Sequence, residues 1–341
     1  MEGMRGFAVF LVFIVHYMTL VEPWIKNSES LFQLADAVHS VGNAGVDLFF
    51  VLSGYLIYGS LIARPQPFAG FLARRIKRIY PAFLSVFSIY FFLSFVVPQQ
   101  SKLPPSFGPA LIYVAQNLLL LPGLFPIRPM ITVAWSLSYE MFFYLVIPGV
   151  IAIWGLRSRS VNWRIAFFFS VVLIGATAGA VYGGPVRLIM FVSGILLFEA
   201  LAIRSIPTPS SSSGLVALVL GLLVMLLPLN GTSGAMLKIM VLFVTFFVLC
   251  LACFRNASGW LPRAFSWTPL RWLGNMSYSY YLLHGLALKA GFLAFGKLVP
   301  SAGTEHWVFW LMMPVMFALT LVASAVLFLA IERPFSLVPK H

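Results

Sequence analysis

Histidines and carboxylates set inside long apolar runs are where this sequence can do chemistry. His16 lies in the run 4–21, Glu140 in 132–154 and His284 in 276–296, while Asp47 stands at the outer end of 44–62. A charged side chain at mid-bilayer costs roughly 2.5–3.5 kcal/mol on insertion scales, so each of these needs a reason. Arg5 and His16 are eleven residues apart in a helical pattern. That is about 1100°, within about 20° of three full turns, so both project from one face roughly 16 Å apart. An arginine at the membrane boundary can hold a phosphate while the imidazole acts deeper. A snorkelling arginine, with a histidine satisfied by a nearby carbonyl, explains the same spacing.

The basic stretch 63–78 contains Arg74, Arg75, Lys77 and Arg78. Arg75 and Arg78 share a face if a helix begins here, and paired planar guanidiniums suit phosphate better than lysines do. The alternative is an anchor to anionic lipid. Glu140, about 12 Å below the outer end of its run at the helical rise, lies near the depth of His16. A carboxylate there would orient an imidazole and favour its charged form. A structural Glu–Arg or Glu–Tyr pair is the other reading. Asp47 reads either as a helix cap or as an acid–base group, Asn275 and Ser277 as caps of the helix that follows them, and Ser53-Gly54 as a packing notch. Cys250 and Cys253 sit in VLCLACF without a βαβ unit and read as buried hydrophobes. The scattered histidines give no metal-ligand spacing, so no metal is expected.

The elements that must position these groups are membrane helices. Of 341 residues, 61% are hydrophobic and 9% charged, against about 25% charged in soluble domains. That composition excludes a soluble or disordered chain and, despite a net charge of +13, a nucleic-acid-binding domain. Ten runs approach the roughly 20 residues a span requires: 4–21, 44–62, 79–97, 132–154, 164–182, 186–203, 214–229, 234–254, 276–296 and 307–331. An eleventh, 109–121, is short and proline-flanked. Leaving it re-entrant or interfacial keeps Arg157, Arg159, Arg255, Arg263, Arg271, Arg333 and Lys340 cytoplasmic, as the positive-inside rule prefers. The expectation is an all-α bundle of about ten spans with both termini cytoplasmic. It forms one domain over 1–341, with a Pro/Ser linker at 207–213 and no fused soluble esterase-like domain. No small-x-small site follows the first run, so that run is expected to be retained as a helix.

Five blocks resemble the membrane-bound acyltransferase-3 family. They are EGMRGFAVFLVFIVHY (2–17), GVDLFFVLSGYLI (45–57), FLARRIKRIYPAF (71–83), WSLSYEMFFYLVIP (135–148) and LGNMSYSYYLLHG (273–285), followed by IERPF (331–335). The resemblance implies transfer of an acyl group, usually acetyl, from cytoplasmic acyl-CoA to a hydroxyl on a carbohydrate or lipid-linked glycan. It implies that His16 is essential, that Arg5, Arg75 and Arg78 face the CoA, and that no cofactor is permanently bound. On that reading His16 is the general base, with Glu140 or Asp47 orienting it. A backbone N–H, Tyr139 or Ser277 would stabilise the oxyanion, and His284 either faces the acceptor or is structural. An acyl-histidine intermediate is the alternative mechanism.

A bacterial inner membrane fits ten helices and two span-embedded cysteines. The partners expected are acyl-CoA, a glycan and membrane lipid, and no nucleic acid. Two rivals remain. A proton-coupled transporter would use His16 and Glu140 as relays, and a family member acylating a small molecule would keep the chemistry and change the acceptor.

Overall fold

Apolar runs bounded by proline, glycine and serine set where the helices begin and stop. The structure, a computed structural model, describes residues 1–301 and 306–337; Lys340, expected among the cytoplasmic cations, lies outside them. In chain order the helices are α1 (Glu2–Ile25), α2 (Glu29–Gly42), α3 (Ala44–Ala63), α4 (Phe68–Val96), α5 (Phe107–Leu118), α6 (Trp135–Ile153) and α7 (Val161–Tyr182). There follow α8 (Ile189–Ala202), α9 (Ser211–Val224), α10 (Gly231–Arg255), α11 (Trp260–Phe265), α12 (Thr268–Asn275), α13 (Ser277–Leu298) and α14 (His306–Leu327), which runs on into a π-helical stretch, Phe328–Leu337. Among the described residues the only β pairing is an isolated bridge between Pro122 and Phe125.

The protein is a helical, multi-pass membrane protein. Seven stretches are long and apolar enough to cross a membrane: α1, the α2–α3 pair, α4, Thr132–Ile153, α7, α10 and His306–Ser336. Each of the ten apolar runs falls on a helix, but three miss that standard. The helices α8 and α9 have 14 residues each, and α13 has 22 but carries Ser277, Ser279, His284 and Lys289. The 109–121 run is the 12-residue α5, too short to span.

Three boundaries differ from the sequence expectation. The third apolar run begins at 79, but α4 starts at Phe68 within the basic stretch, because FAGFLARRIKR is rich in helix formers and follows the extended Pro67. The 207–213 linker is shorter, since the Ser210 hydroxyl accepts a hydrogen bond from the Ser213 N–H at 3.0 Å and makes Ser211–Ser213 the first turn of α9. The 214–229 run stops being α-helical at Val224, ahead of Pro228 and of Gly231 with its φ of +75°.

Two compact units divide the chain. The first comprises Met1–Met18, Gln33–Gln66 and Val146–Asn275, so both flanks of the Pro/Ser linker belong to it. Here Gly54 and Gly194 let α3 and α8 touch backbone to backbone. A Cβ at Gly54 would lie 2.1 Å from the Phe191 carbonyl oxygen, and one at Gly194 2.0 Å from that of Val51. The expected notch at Ser53-Gly54 is thus a small-residue helix contact, with Phe50 stacked on Phe191 beside it. The second unit comprises Thr19–Phe32, Pro67–Leu145 and Met276–His341. In it the Trp24 indole donates to the Val299 carbonyl at 3.0 Å and packs on Phe292 and Phe295. The Tyr280 hydroxyl and Thr320 join α13 to α14 at 2.7 Å.

Candidate active site

In the first unit, Arg5 rides on the opening turns of α1, which lie against α11 and α12. Gly3 faces the Phe265 carbonyl and Gly6 that of Leu270, each too close for any side chain. Three turns on, the half-buried His16 lies within electrostatic reach of His39 on α2. One turn beyond His39, the Asn43 amide donates to the His39 carbonyl at 3.1 Å and lies 3.5 Å from His39 Nδ1. The Asn43 carbonyl accepts Arg187 Nη1 at 3.0 Å, and the same nitrogen meets Asp47 Oδ2 at 2.7 Å. Asp47 is therefore no helix cap. Asn43, before it, already has helical φ and ψ, so α2 feeds α3 without exposing N–H groups that need one. Asp47 is fully buried, and its Oδ1 has no hydrogen-bond partner among the described residues. Such an oxygen is costly to leave unpaired.

The second unit gathers Arg75, Arg78, Tyr139, Glu140, Ser277 and His284. Arg75 and Arg78 lie one turn apart inside α4. The Arg75 guanidinium sits 5.4 Å from the Phe71 ring centroid and 5.7 Å from that of Tyr144, whose hydroxyl donates to Glu140. Arg78 pairs with Glu332 at 2.6 Å and lies over Tyr278 at 5.8 Å. The other Glu332 oxygen accepts the Ser279 N–H and hydroxyl at 3.0 and 2.5 Å. Two arginines, two glutamates and two tyrosines thus form one charge-balanced group. Beyond the ion pair to Glu332, neither guanidinium makes a hydrogen bond of normal geometry among the described residues.

The remaining candidates are more enclosed. Tyr139 is buried with its ring edge-on to Trp135. Ser277 does not cap α13 and nor does Asn275, which ends α12; the N-cap position is Met276, without a side-chain bond. The Ser277 hydroxyl is buried and has no partner among the described residues, which leaves it free to donate. The His284 ring is fully buried, stacked on Tyr280, with Nδ1 2.9 Å from the Tyr280 carbonyl.

Sequence reasoning missed Arg187, His39, Glu332 and a separate pair in the first unit, Arg164–Glu199. The Arg164 Nε and Nη2 meet the two Glu199 oxygens at 2.6 and 2.7 Å, Tyr58 donates to Glu199 at 2.5 Å, and Arg164 Nη1 takes the Leu156 and Arg159 carbonyls. The rule that singled out Glu140, an ionisable group in an apolar run, applies equally to Glu199 in FVSGILLFEALA and to Glu332, directly after the apolar run 307–331.

A family model described as an acyltransferase domain matches residues 1–329. The chain is 28% identical over 284 residues to the exopolysaccharide production protein ExoZ of Rhizobium meliloti, covering 77% of this chain and 82% of that protein. It is 28% identical over 326 residues to the putative peptidoglycan O-acetyltransferase YrhL of Bacillus subtilis, and 25% over 324 to the peptidoglycan O-acetyltransferase OatA of Listeria monocytogenes. Each of those matches covers 83% of this chain but only 47% and 48% of the relatives, so the chain spans about half their length. No solved structure matches. With the match running through all five blocks from 2–17 to 273–285, the chain belongs to the acyltransferase-3 family of membrane proteins.

Proposed function

We propose that this protein transfers an acetyl group from cytoplasmic acyl-CoA to a hydroxyl of a cell-surface or lipid-linked carbohydrate in a bacterial inner membrane. The observation that carries this reading is the arginine pair. Arg75 and Arg78 are packed on aromatic rings with hydrogen-bond donors unspent, the state in which guanidiniums suit phosphate oxygens. Arg5 is assigned to the same donor. The carbohydrate acceptor draws support from the names of the relatives, exopolysaccharide production protein and peptidoglycan O-acetyltransferase. The accompanying topology is ten spans with both termini cytoplasmic.

In the proposed reaction His16 takes the proton of the acceptor hydroxyl, and that oxygen attacks the thioester carbonyl. The tetrahedral intermediate expels the CoA thiolate, which recovers the proton from His16, leaving an acetyl ester and free CoA. Asp47 is assigned a positioning role: it holds Arg187, which with Asn43 fixes the turn carrying His39, and its unpaired Oδ1 is able to accept one more hydrogen bond. Glu140 already accepts the Tyr144 hydroxyl and shares its cluster with Arg75, so its part is to hold the donor-binding arginines. Ser277, buried with a free hydroxyl, is the side chain assigned to the oxyanion.

Inside-out membrane vesicles carrying the native glycan and given labelled acetyl-CoA test this. Wild type is expected to place alkali-labile label in the glycan or lipid-linked fraction, and His16→Ala to lose at least about 100-fold. No label from folded wild-type protein overturns the reading and moves a transporter ahead.

A further inference from the structure

Away from the arginine pair, the second unit brings together three cations, none of them in an ion pair among the described residues. Lys102, in the connection after α4, places its ammonium 2.9 Å from the Pro129 carbonyl, 3.0 Å from that of Met130 and 3.2 Å from Thr132 Oγ1. These bonds fix the charge next to Arg128, and Lys289 on α13 stands within electrostatic range as well. Arg128 and Lys289 are exposed, and no ion pair among the described residues involves any of the three.

The cluster is built, because its backbone is pinned. Buried Asn117 donates to the Tyr113 and Arg128 carbonyls at 3.0 and 3.5 Å and accepts the Met130 N–H at 2.7 Å. Gly123, with a φ of +93°, turns the chain where a Cβ would lie 2.8 Å from that of Trp135. A second observation points to a ligand. Tyr113 is 8% exposed, and its hydroxyl, within electrostatic reach of Arg128 and beside the Asn117 side chain, makes no hydrogen bond of normal geometry among the described residues. A buried donor next to surplus positive charge is the arrangement an oxyanion completes.

We propose that Lys102, Arg128, Lys289 and Tyr113 form a binding site for one oxyanionic group, a carboxylate or phosphate borne by the acceptor. Arg128, Lys289 and the Tyr113 hydroxyl supply the donors. Lys102, whose protons are spent on the Pro129–Thr132 stretch, supplies charge. The assignment to the acceptor rests on the proposed topology, which puts 97–131 and the C-terminal half of α13 outside; the anion site itself does not. Burial and the repulsion of Arg128 and Lys289 push the Lys102 ammonium down to about 8, and a bound anion reverses part of that.

The test uses the full chain in lipid nanodiscs. Binding is measured for a glucuronate-containing tetrasaccharide, its carboxyl-reduced counterpart and pyrophosphate, in discs of zwitterionic lipid and again with phosphatidylglycerol. At least one anionic probe is expected to bind and to weaken about tenfold or more in Arg128→Gln/Lys289→Gln, and less in Tyr113→Phe. The probe that does so names the source: acidic sugar, diphosphate-bearing carrier or lipid headgroup. On wild-type protein, the same probe is expected to move the pH midpoint of Lys102 amine labelling upward. If no probe loses affinity in the double variant and none moves the Lys102 midpoint, the site is overturned. Binding without acetyl transfer in the vesicle assay would leave this site standing and remove the acyltransfer reading; the reverse result would do the opposite.

Discussion

Two buried ion pairs of the same residue types are built to opposite ends. In Arg164–Glu199 both carboxylate oxygens face the guanidinium fork, a tyrosine hydroxyl adds a third bond, and the last arginine nitrogen is taken by two carbonyls. In Arg78–Glu332 only one arginine nitrogen meets the carboxylate, whose other oxygen is held by Ser279. The arginine is also about twice as exposed, at 23% against 11%. The first pair has nothing left to offer a ligand and ties the α6–α7 connection to α3 and α8. The second keeps donors in reserve. Saturation, rather than the presence of a buried charge, separates a fastening from a binding group.

One substitution made at both arginines would break that comparison most directly. Arg164→Lys keeps the charge but cannot reproduce the fork, so it is expected to cost about 2–4 kcal/mol of stability with the KM for acetyl-CoA unchanged. Denaturant-dependent labelling of the free, buried Cys250 and Cys253 in the same unit reads that loss. Arg78→Lys still satisfies Glu332, and is expected to raise the KM about tenfold while stability moves by less than about 1 kcal/mol. If the two variants exchange behaviours, the distinction fails.

A smaller effect sharpens it. Tyr144→Phe keeps the ring beside Arg75 and removes the donor to Glu140. A fall of about fivefold in acetyl transfer is expected, whereas Tyr58→Phe, which strips a donor from the saturated pair, should cost stability of about 1–2 kcal/mol and no rate. Smallest is the pH response of Lys102. Its amine-labelling midpoint is expected near 8 and should rise in Lys289→Gln. Because the folded ammonium titrates below its unfolded value, its charged form opposes folding. That penalty is complete below about pH 8 and fades as the pH rises toward the unfolded value.

Local patterns in the sequence made the helices legible, and α3 starts on the residue its apolar run predicts and ends one later. The start of α4 was hidden because its first turns are basic, and hydropathy reports where lipid is rather than where the helix begins. Partner choice was hidden for a different reason. Arg187 meets Asp47 across 140 residues and Tyr58 meets Glu199 across 141, pairings that exist only once helices pack. The family blocks contain Arg5, His16, Asp47, Arg75, Arg78, Glu140 and Glu332, but not Arg187, Arg164, Glu199 or the Lys102 cluster.

The near-continuous helical path from Glu29 to Ala63 is 35 residues long. At the helical rise that is about 52 Å, against a hydrocarbon thickness of about 30 Å. The 20 residues of α3 match that thickness alone, and the 14 of α2 add about 21 Å beyond it. Asn43 stands at the foot of α2 and His39 about 6 Å above it. Hydrophobic mismatch therefore bears on this helix: in a thicker bilayer the acyl chains climb past Asn43 toward His39, and in a thinner one the Asp47–Arg187 pair is lifted into the headgroups. Bilayer thickness becomes a physical variable that acts on the polar chain from Asp47 to His39.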